Sequence, residues 1–178
     1  MSTEQEEKLL FKHPAYFIAF GCGSGFSRYA PGTVSTLWAW AFFLVFDTLF
    51  TFNFWIFLLL ISFALGIWAS SYTTKKLNKN DPSEIVIDEI VSFWVILVLL
   101  PSTSDPMGEV ILSGFPEWLL QSLSFILFRI FDILKPTPIN WLDKNVKGGF
   151  GIMLDDLVAA GFTLITISIF LKLFPMFT

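Results

Sequence analysis

The chain has 178 residues, 54% of them hydrophobic, with 22 Phe, 7 Trp and a mean hydropathy of +0.69, which lies well beyond what a soluble core of this size needs to bury. A membrane is the natural sink for that surface. The net charge of −4, with basic residues in small scattered groups, argues against a nucleic-acid partner, and a single cysteine (Cys22) and a single histidine (His13) exclude an internal disulfide and a zinc site of the Cys/His kind.

No low-complexity linker divides residues 1–178, so the chain reads as one membrane domain. Residues 1–20 begin acidic and lack the basic start and small-residue cleavage site of a secretory signal, which reads as a cytosolic tail. Next comes a glycine-rich stretch, Gly21 to Thr33. Gly21, Gly23, Gly25 and Gly32 would let the backbone fold around an anion, and Thr33 would cap the following helix; plain flexibility is the competing account. The first apolar span runs from Val34 to Phe50. No charge occurs between Asp47 and Lys75, enough for a helix across about 30 Å of hydrocarbon. Three more spans follow: Ile85–Leu100, Trp118–Leu134 and Asp156–Phe174. These and the first are shorter and carry charge near one end, so singly each also fits a buried helix of a soluble bundle. Together they predict an all-α, polytopic membrane bundle of about five inserted helices.

Charge placement supports that topology, because cytoplasmic loops collect Lys and Arg. Lys8, Lys12 and Arg28 precede the first span; Lys75, Lys76 and Lys79 lie between the second and third; Arg129 near the inner end of the fourth, with Lys135, Lys144 and Lys147 between it and the fifth, completes the set. Those are ten of the eleven basic residues, all on one side. The opposite connections hold Asp47, Asp105, Glu109 and Glu117 and no base, while Lys172 near the far end can snorkel. The N-terminus is thereby placed in the cytosol and the C-terminus outside.

Every chemically interesting stretch then falls on the cytoplasmic side. Asp88 and Glu89 are adjacent acids within an apolar run. Left unpaired in the membrane they would cost several kcal/mol each; at a helix N-terminus the dipole would favour them by about 0.3 to 1 kcal/mol. Asp155 and Asp156 repeat the arrangement at the start of the fifth span. Arg129, Asp132 and Lys135, spaced three apart, fall on one broad helical face before Pro136 and Pro138, and alone would be an ion-pair ladder.

Five carboxylates converging at the edge of a low-dielectric slab would repel one another unless a cation neutralised them. All-oxygen ligation points to Mg²⁺, with Mn²⁺ as second choice, held by Asp88, Glu89, Asp132, Asp155 and Asp156. Such a metal polarises a phosphoryl oxygen and activates water. Arg129, Lys135 and Thr33 are the candidate phosphate-binding residues, the two bases offsetting charge on the transferring group. The parts suit metal-assisted phosphoryl transfer, with the five acids as the catalytic set.

Four blocks carry a family resemblance: Ala30-Pro-Gly-Thr33, Ile85-Val-Ile-Asp-Glu89, Phe128-Arg-x-Phe-Asp-x-x-Lys-Pro-x-Pro138 and Gly148-Gly-x-Gly-Ile-Met-x-Asp-Asp156. In that order they resemble the phosphatidylglycerophosphatase A family of bacteria, over about Gly21 to Gly161. The resemblance implies Mg²⁺-dependent hydrolysis of phosphatidylglycerophosphate to phosphatidylglycerol and phosphate, on the cytoplasmic side of the inner membrane, in phosphatidylglycerol and cardiolipin synthesis. Ser35 and Ser92 stand where that family's pattern has glycine.

Rival chemistries leave weaker traces. Cys22 and Arg28 have the Cys-x5-Arg spacing of cysteine phosphatases, but the preceding His is missing and Tyr29 replaces the usual Ser or Thr. Histidine-dependent lipid phosphatases need several His. The Asp-Gly-x-x-Ala-Arg start of CDP-alcohol phosphotransferases is absent. A cation or proton transporter also uses membrane carboxylates, but at mid-span rather than at the inner ends.

Overall fold

The computed structural model describes residues 8–79, 82–102, 108, 112 and 115–173, and among these it contains helices and no strand. Residues 1–7, Asp81, Asp105, Glu109 and Phe174 of the sequence expectations lie outside them. The helices are α1 (Pro14–Ala19), α2 (Pro31–Phe46), α3 (Phe52–Leu77), α4 (Ile87–Leu99), α5 (Glu117–Leu134), α6 (Ile139–Asn145) and α7 (Gly149–Leu173), with a 3₁₀ segment at Gly21–Phe26.

Local chemistry sets the boundaries. Pro14 and Pro31 open α1 and α2, where a missing N–H costs nothing. Thr51 caps α3 by accepting a hydrogen bond from Phe54 N–H at 3.3 Å, and Asn78 in the left-handed conformation ends it behind Lys75 and Lys76. Thr33 does not cap α2: Pro31 starts that helix two residues earlier, with Ala30 as the cap.

α4 is the hub. It packs against α2, α3, α5 and α7, and Ile90, Val91, Phe93, Ile96 and Leu97 are buried. At 13 residues it is about 20 Å long, shorter than a hydrocarbon core. Among the described residues two helices, α3 and α7, are long and apolar enough to cross a membrane. Only 22% of the most apolar stretch of α3, and 33% of that of α7, is buried within the molecule, unlike the core helix of a soluble protein. α2 is apolar but has 16 residues. α5 carries Glu117, Arg129 and Asp132, and large apolar side chains such as Ile126 and Ile130 on it stay exposed. The coarse prediction of an all-α bundle with membrane-length helices therefore holds.

Residues 14–20 are not a tail. Ala15, Ala19 and Phe20 are fully buried, α1 packs on α3, and His13 stacks on Tyr72 with ring centroids 4.1 Å apart. Their apolar character had to serve a core, since they are too few to span anything. α7 also begins earlier than predicted. Gly149 lies against the Ile67 carbonyl and Ser71 of α3, where any β-carbon would collide, so the glycine-rich turn is itself the first turn of the helix. Asp155 and Asp156 consequently sit six and seven residues inside it.

Candidate active site

One end of the bundle encloses a cavity of about 490 Å³. Its wall draws on the start of α2 (Ala30, Pro31, Gly32), the start of α4 (Asp88, Glu89), the end of α5 (Arg129, Asp132, Lys135), Asp143 of α6 and the first turns of α7 (Gly151, Asp155, Asp156). All five predicted acids and both predicted bases share it. Thr33 does not line it; Gly32, the preceding residue, does.

Asp88 and Glu89 occupy the first turn of α4, so the favourable dipole is real there. It does not explain Asp155 and Asp156, which are buried at 5% and 3% exposure well inside α7. Arg129 Nη1 donates to Glu89 Oε1 at 3.1 Å and pairs with Asp132 Oδ2 at 2.8 Å. This pairing needs Gly32: a β-carbon there would overlap the Glu89 carboxylate and stand 2.8 Å from a guanidinium nitrogen of Arg129.

The expected ladder stops before Lys135. That residue ends α5 in the left-handed conformation, φ 41°, which carries its side chain away from Asp132. Lys135 Nζ instead donates to Asp155 Oδ2 at 2.7 Å and to Asp143 Oδ1 at 2.9 Å. Burial works against the ammonium charge, but the two hydrogen bonds outweigh it and raise the Lys135 pKa, and the same contact lowers that of Asp143. Asp143 was missed in the sequence, although it is the one acid between the third and fourth motif blocks.

The acids thus divide. Glu89, Asp132 and Asp155 each lean on a basic side chain through one oxygen; Asp88 Oδ1 and Asp156 Oδ2, like the second oxygen of Glu89, are buried and accept no hydrogen bond from the described residues. Among the described residues, no three Asp, Glu, His or Cys side chains stand close enough to enclose a metal ion. The predicted ring of five carboxylate ligands is therefore not preassembled, because Arg129 and Lys135 already neutralise part of it. Mg²⁺ does not demand such a ring: it keeps several waters and is held by one or two carboxylates plus substrate phosphate. Two buried, unpartnered carboxylate oxygens on facing helices fit that requirement.

The glycine-rich segment is not an anion cradle. Gly23 N–H and Gly25 N–H both donate to the Phe20 carbonyl, at 2.9 and 3.1 Å, and the segment packs against Val86 and Ile90 at the start of α4. Cys22 is exposed and lies outside the cavity wall, so the Cys-x5-Arg spacing assembles nothing there.

The sequence profile of the phosphatidylglycerophosphatase A family matches residues 17–171. Phosphatidylglycerophosphatase A of Escherichia coli K12 is 32% identical over 154 residues, covering 86% of this chain and 81% of that protein. The protein of the same name from Haemophilus influenzae Rd is 33% identical over 161 residues, 90% of this chain and 91% of that one. A Bacteroides thetaiotaomicron protein named "Putative phosphatidylinositol-3-phosphatase" is 36% identical over 169 residues, 89% of this chain and 96% of that one. No solved structure matches the chain.

Proposed function

The chain belongs to the phosphatidylglycerophosphatase A family, and on that footing we propose that it hydrolyses phosphatidylglycerophosphate to phosphatidylglycerol at the cavity where α2, α4, α5, α6 and α7 meet, with Mg²⁺ held by Asp88 and Asp156. The observation that carries the reading is the pair of buried, unpartnered oxygens, Asp88 Oδ1 and Asp156 Oδ2, in the same cavity as Arg129 and Lys135.

Charge balance supports the cofactor. Six acids line the cavity (Asp88, Glu89, Asp132, Asp143, Asp155, Asp156) against three bases (Arg129, Lys135, Lys147), a formal −3. A phosphomonoester brings nearly two more negative charges, and like charges at such range are costly in a low dielectric. A divalent cation there would polarise a phosphoryl oxygen and supply activated water. Mn²⁺ has the same ligand preference and is the second choice.

The chain's own residues bind and orient. Arg129, braced by Glu89 and Asp132, presents a fixed guanidinium to phosphoryl oxygens, and Lys135, held by Asp155 and Asp143, presents an ammonium. The site lies at one end of the bundle, beside the segments rich in Lys and Arg. We read that end as cytoplasmic, with α2, α4 and α5 inserted beside α3 and α7 in a five-helix, multi-pass arrangement of the inner membrane. The exposed Leu44, Leu60, Ile126 and Ile169 suit lipid contact. Substrate would arrive laterally, its acyl chains in lipid and its terminal phosphate in the cavity. The transporter alternative has no support, since the acids gather at one end around two clamped bases.

The test is phosphate release from phosphatidylglycerophosphate, phosphatidic acid and phosphatidylinositol 3-phosphate by purified protein in detergent, with and without Mg²⁺. Release from phosphatidylglycerophosphate at least about tenfold faster than from the other two, and only with Mg²⁺, is expected. Equal or better release from phosphatidylinositol 3-phosphate, or none from phosphatidylglycerophosphate, would overturn the substrate assignment.

A further inference from the structure

α6 is a seven-residue helix between Pro138 and Val146, anchored by Ile139, which is fully buried. Its neighbours Trp141 and Lys144 face outward, so the segment contributes little to the core. Its contribution to the cavity is one carboxylate. Asp143 Oδ1 accepts from Lys135 Nζ at 2.9 Å, and Asp155 Oδ2 accepts from the same ammonium at 2.7 Å. Lys147 Nζ donates to the Asp143 carbonyl at 2.8 Å and ties the end of α6 down.

An ammonium has three donors. With Asp155 alone, Lys135 would be a flexible side chain in a single contact, free to swing with its four-carbon stem. With Asp143 as a second fixed acceptor, two donors are committed and the direction of the third is set by tetrahedral geometry. We propose that Asp143 is a positioning residue, which gives the Lys135 ammonium a second carboxylate acceptor beside Asp155 so that its remaining donor meets a phosphoryl oxygen in the cavity. This rests on the phosphatase reading for what Lys135 contacts, but the clamp is a property of the chain. The raised Lys135 pKa is consistent with two acceptors sharing one cation.

The experiment compares wild type, Asp143→Asn, Asp143→Glu, Lys135→Ala and the Lys135→Ala/Asp143→Asn double variant. Two readouts are taken on protein that elutes as a single species: kinetics on phosphatidylglycerophosphate with Mg²⁺, and the rate of reductive methylation of Lys135, measured by peptide mass spectrometry. Misplacing a catalytic contact by about 1 Å costs on the order of 100-fold. Asp143→Asn should therefore lower kcat about 10- to 100-fold, with KM within about threefold, and Asp143→Glu should recover a large part of the loss. In the Lys135→Ala background Asp143→Asn should cost no more than about twofold, since residues acting through one another are not additive. Methylation of Lys135 should quicken in Asp143→Asn. Losses that multiply in the double variant, or unchanged kcat and methylation in Asp143→Asn, would overturn the proposal. A wild type inactive on phosphatidylglycerophosphate, with methylation still quickened, would leave the clamp standing and remove the substrate reading instead.

Discussion

Gly32 is the space into which the Glu89 carboxylate fits: the first turn of α2 approaches α4 so closely that a β-carbon at position 32 and an oxygen of Glu89 cannot coexist. The close approach at that corner serves the ion pair, since Arg129 reaches Glu89 beside the same glycine at 3.1 Å. Gly32→Ala should gain about 1 kcal/mol in helix propensity and lose more by displacing the pair. The expected outcome is at least a tenfold fall in phosphate release with a lowered melting temperature, read by turnover and by a thermal scan in detergent.

Asp88→Asn and Asp156→Asn should each reduce turnover below about 1% of wild type while leaving folding intact. Each acid buries an oxygen that no described group satisfies, and replacing a buried carboxylate by a neutral group of the same shape relieves more than it removes. Melting temperatures equal to or above that of the wild type, measured without Mg²⁺, are the check. Wild-type-like turnover in both variants would take these residues out of the site.

EDTA should abolish activity, with Mg²⁺ restoring it fully and Mn²⁺ in part. A ligand that binds only the folded state raises apparent stability by mass action. Mg²⁺ should therefore raise the melting temperature of EDTA-treated wild type, and should fail to do so in Asp88→Asn/Asp156→Asn. That readout is independent of turnover.

Removing one member of the Arg129 cluster should cost more than removing two. Arg129 and its partners are only 12 to 13% exposed, and a partly buried pair broken on one side leaves an uncompensated charge, at about 3 to 5 kcal/mol. Arg129→Gln should destabilise the protein strongly, and adding Glu89→Gln should recover part of that loss by thermal scan. Neither variant should turn over substrate.

Much of the site was legible because charges are conspicuous in an apolar chain. Asp88, Glu89, Arg129, Asp132, Lys135, Asp155 and Asp156 each interrupt or border a hydrophobic run, and all line the cavity. How they pair was not legible. The swing of Lys135 toward Asp143 depends on one left-handed residue at the end of α5, which spacing rules for a continuous helix do not anticipate. Asp143 lies in the short segment between the third and fourth motif blocks, outside every apolar run, so no hydrophobic border marks it. The role of Gly32 appears only once two helices meet. Helix ends shifted for a similar reason: the last helix begins at Gly149 instead of Asp156, with Gly149 packed on α3 and Gly151 on the Val146 carbonyl.

Cys22 offers a test of both the rival chemistry and the orientation. It is the chain's single cysteine and it is exposed, in a segment outside the cavity wall. Thiolate chemistry needs the sulfur, so Cys22→Ser should keep turnover within about twofold of wild type if carboxylates do the work. Labelling should be run at about pH 8.5, where a free thiol is substantially thiolate. With the N-terminal end in the cytosol, as proposed from the basic residues at 8, 12 and 28, a membrane-impermeant maleimide should label Cys22 in inverted vesicles and leave it unlabelled in intact spheroplasts. Labelling from the outside would reverse the orientation and, because the 3₁₀ segment packs on the start of α4 beside Asp88 and Glu89, would carry the whole catalytic cavity to the other face of the membrane.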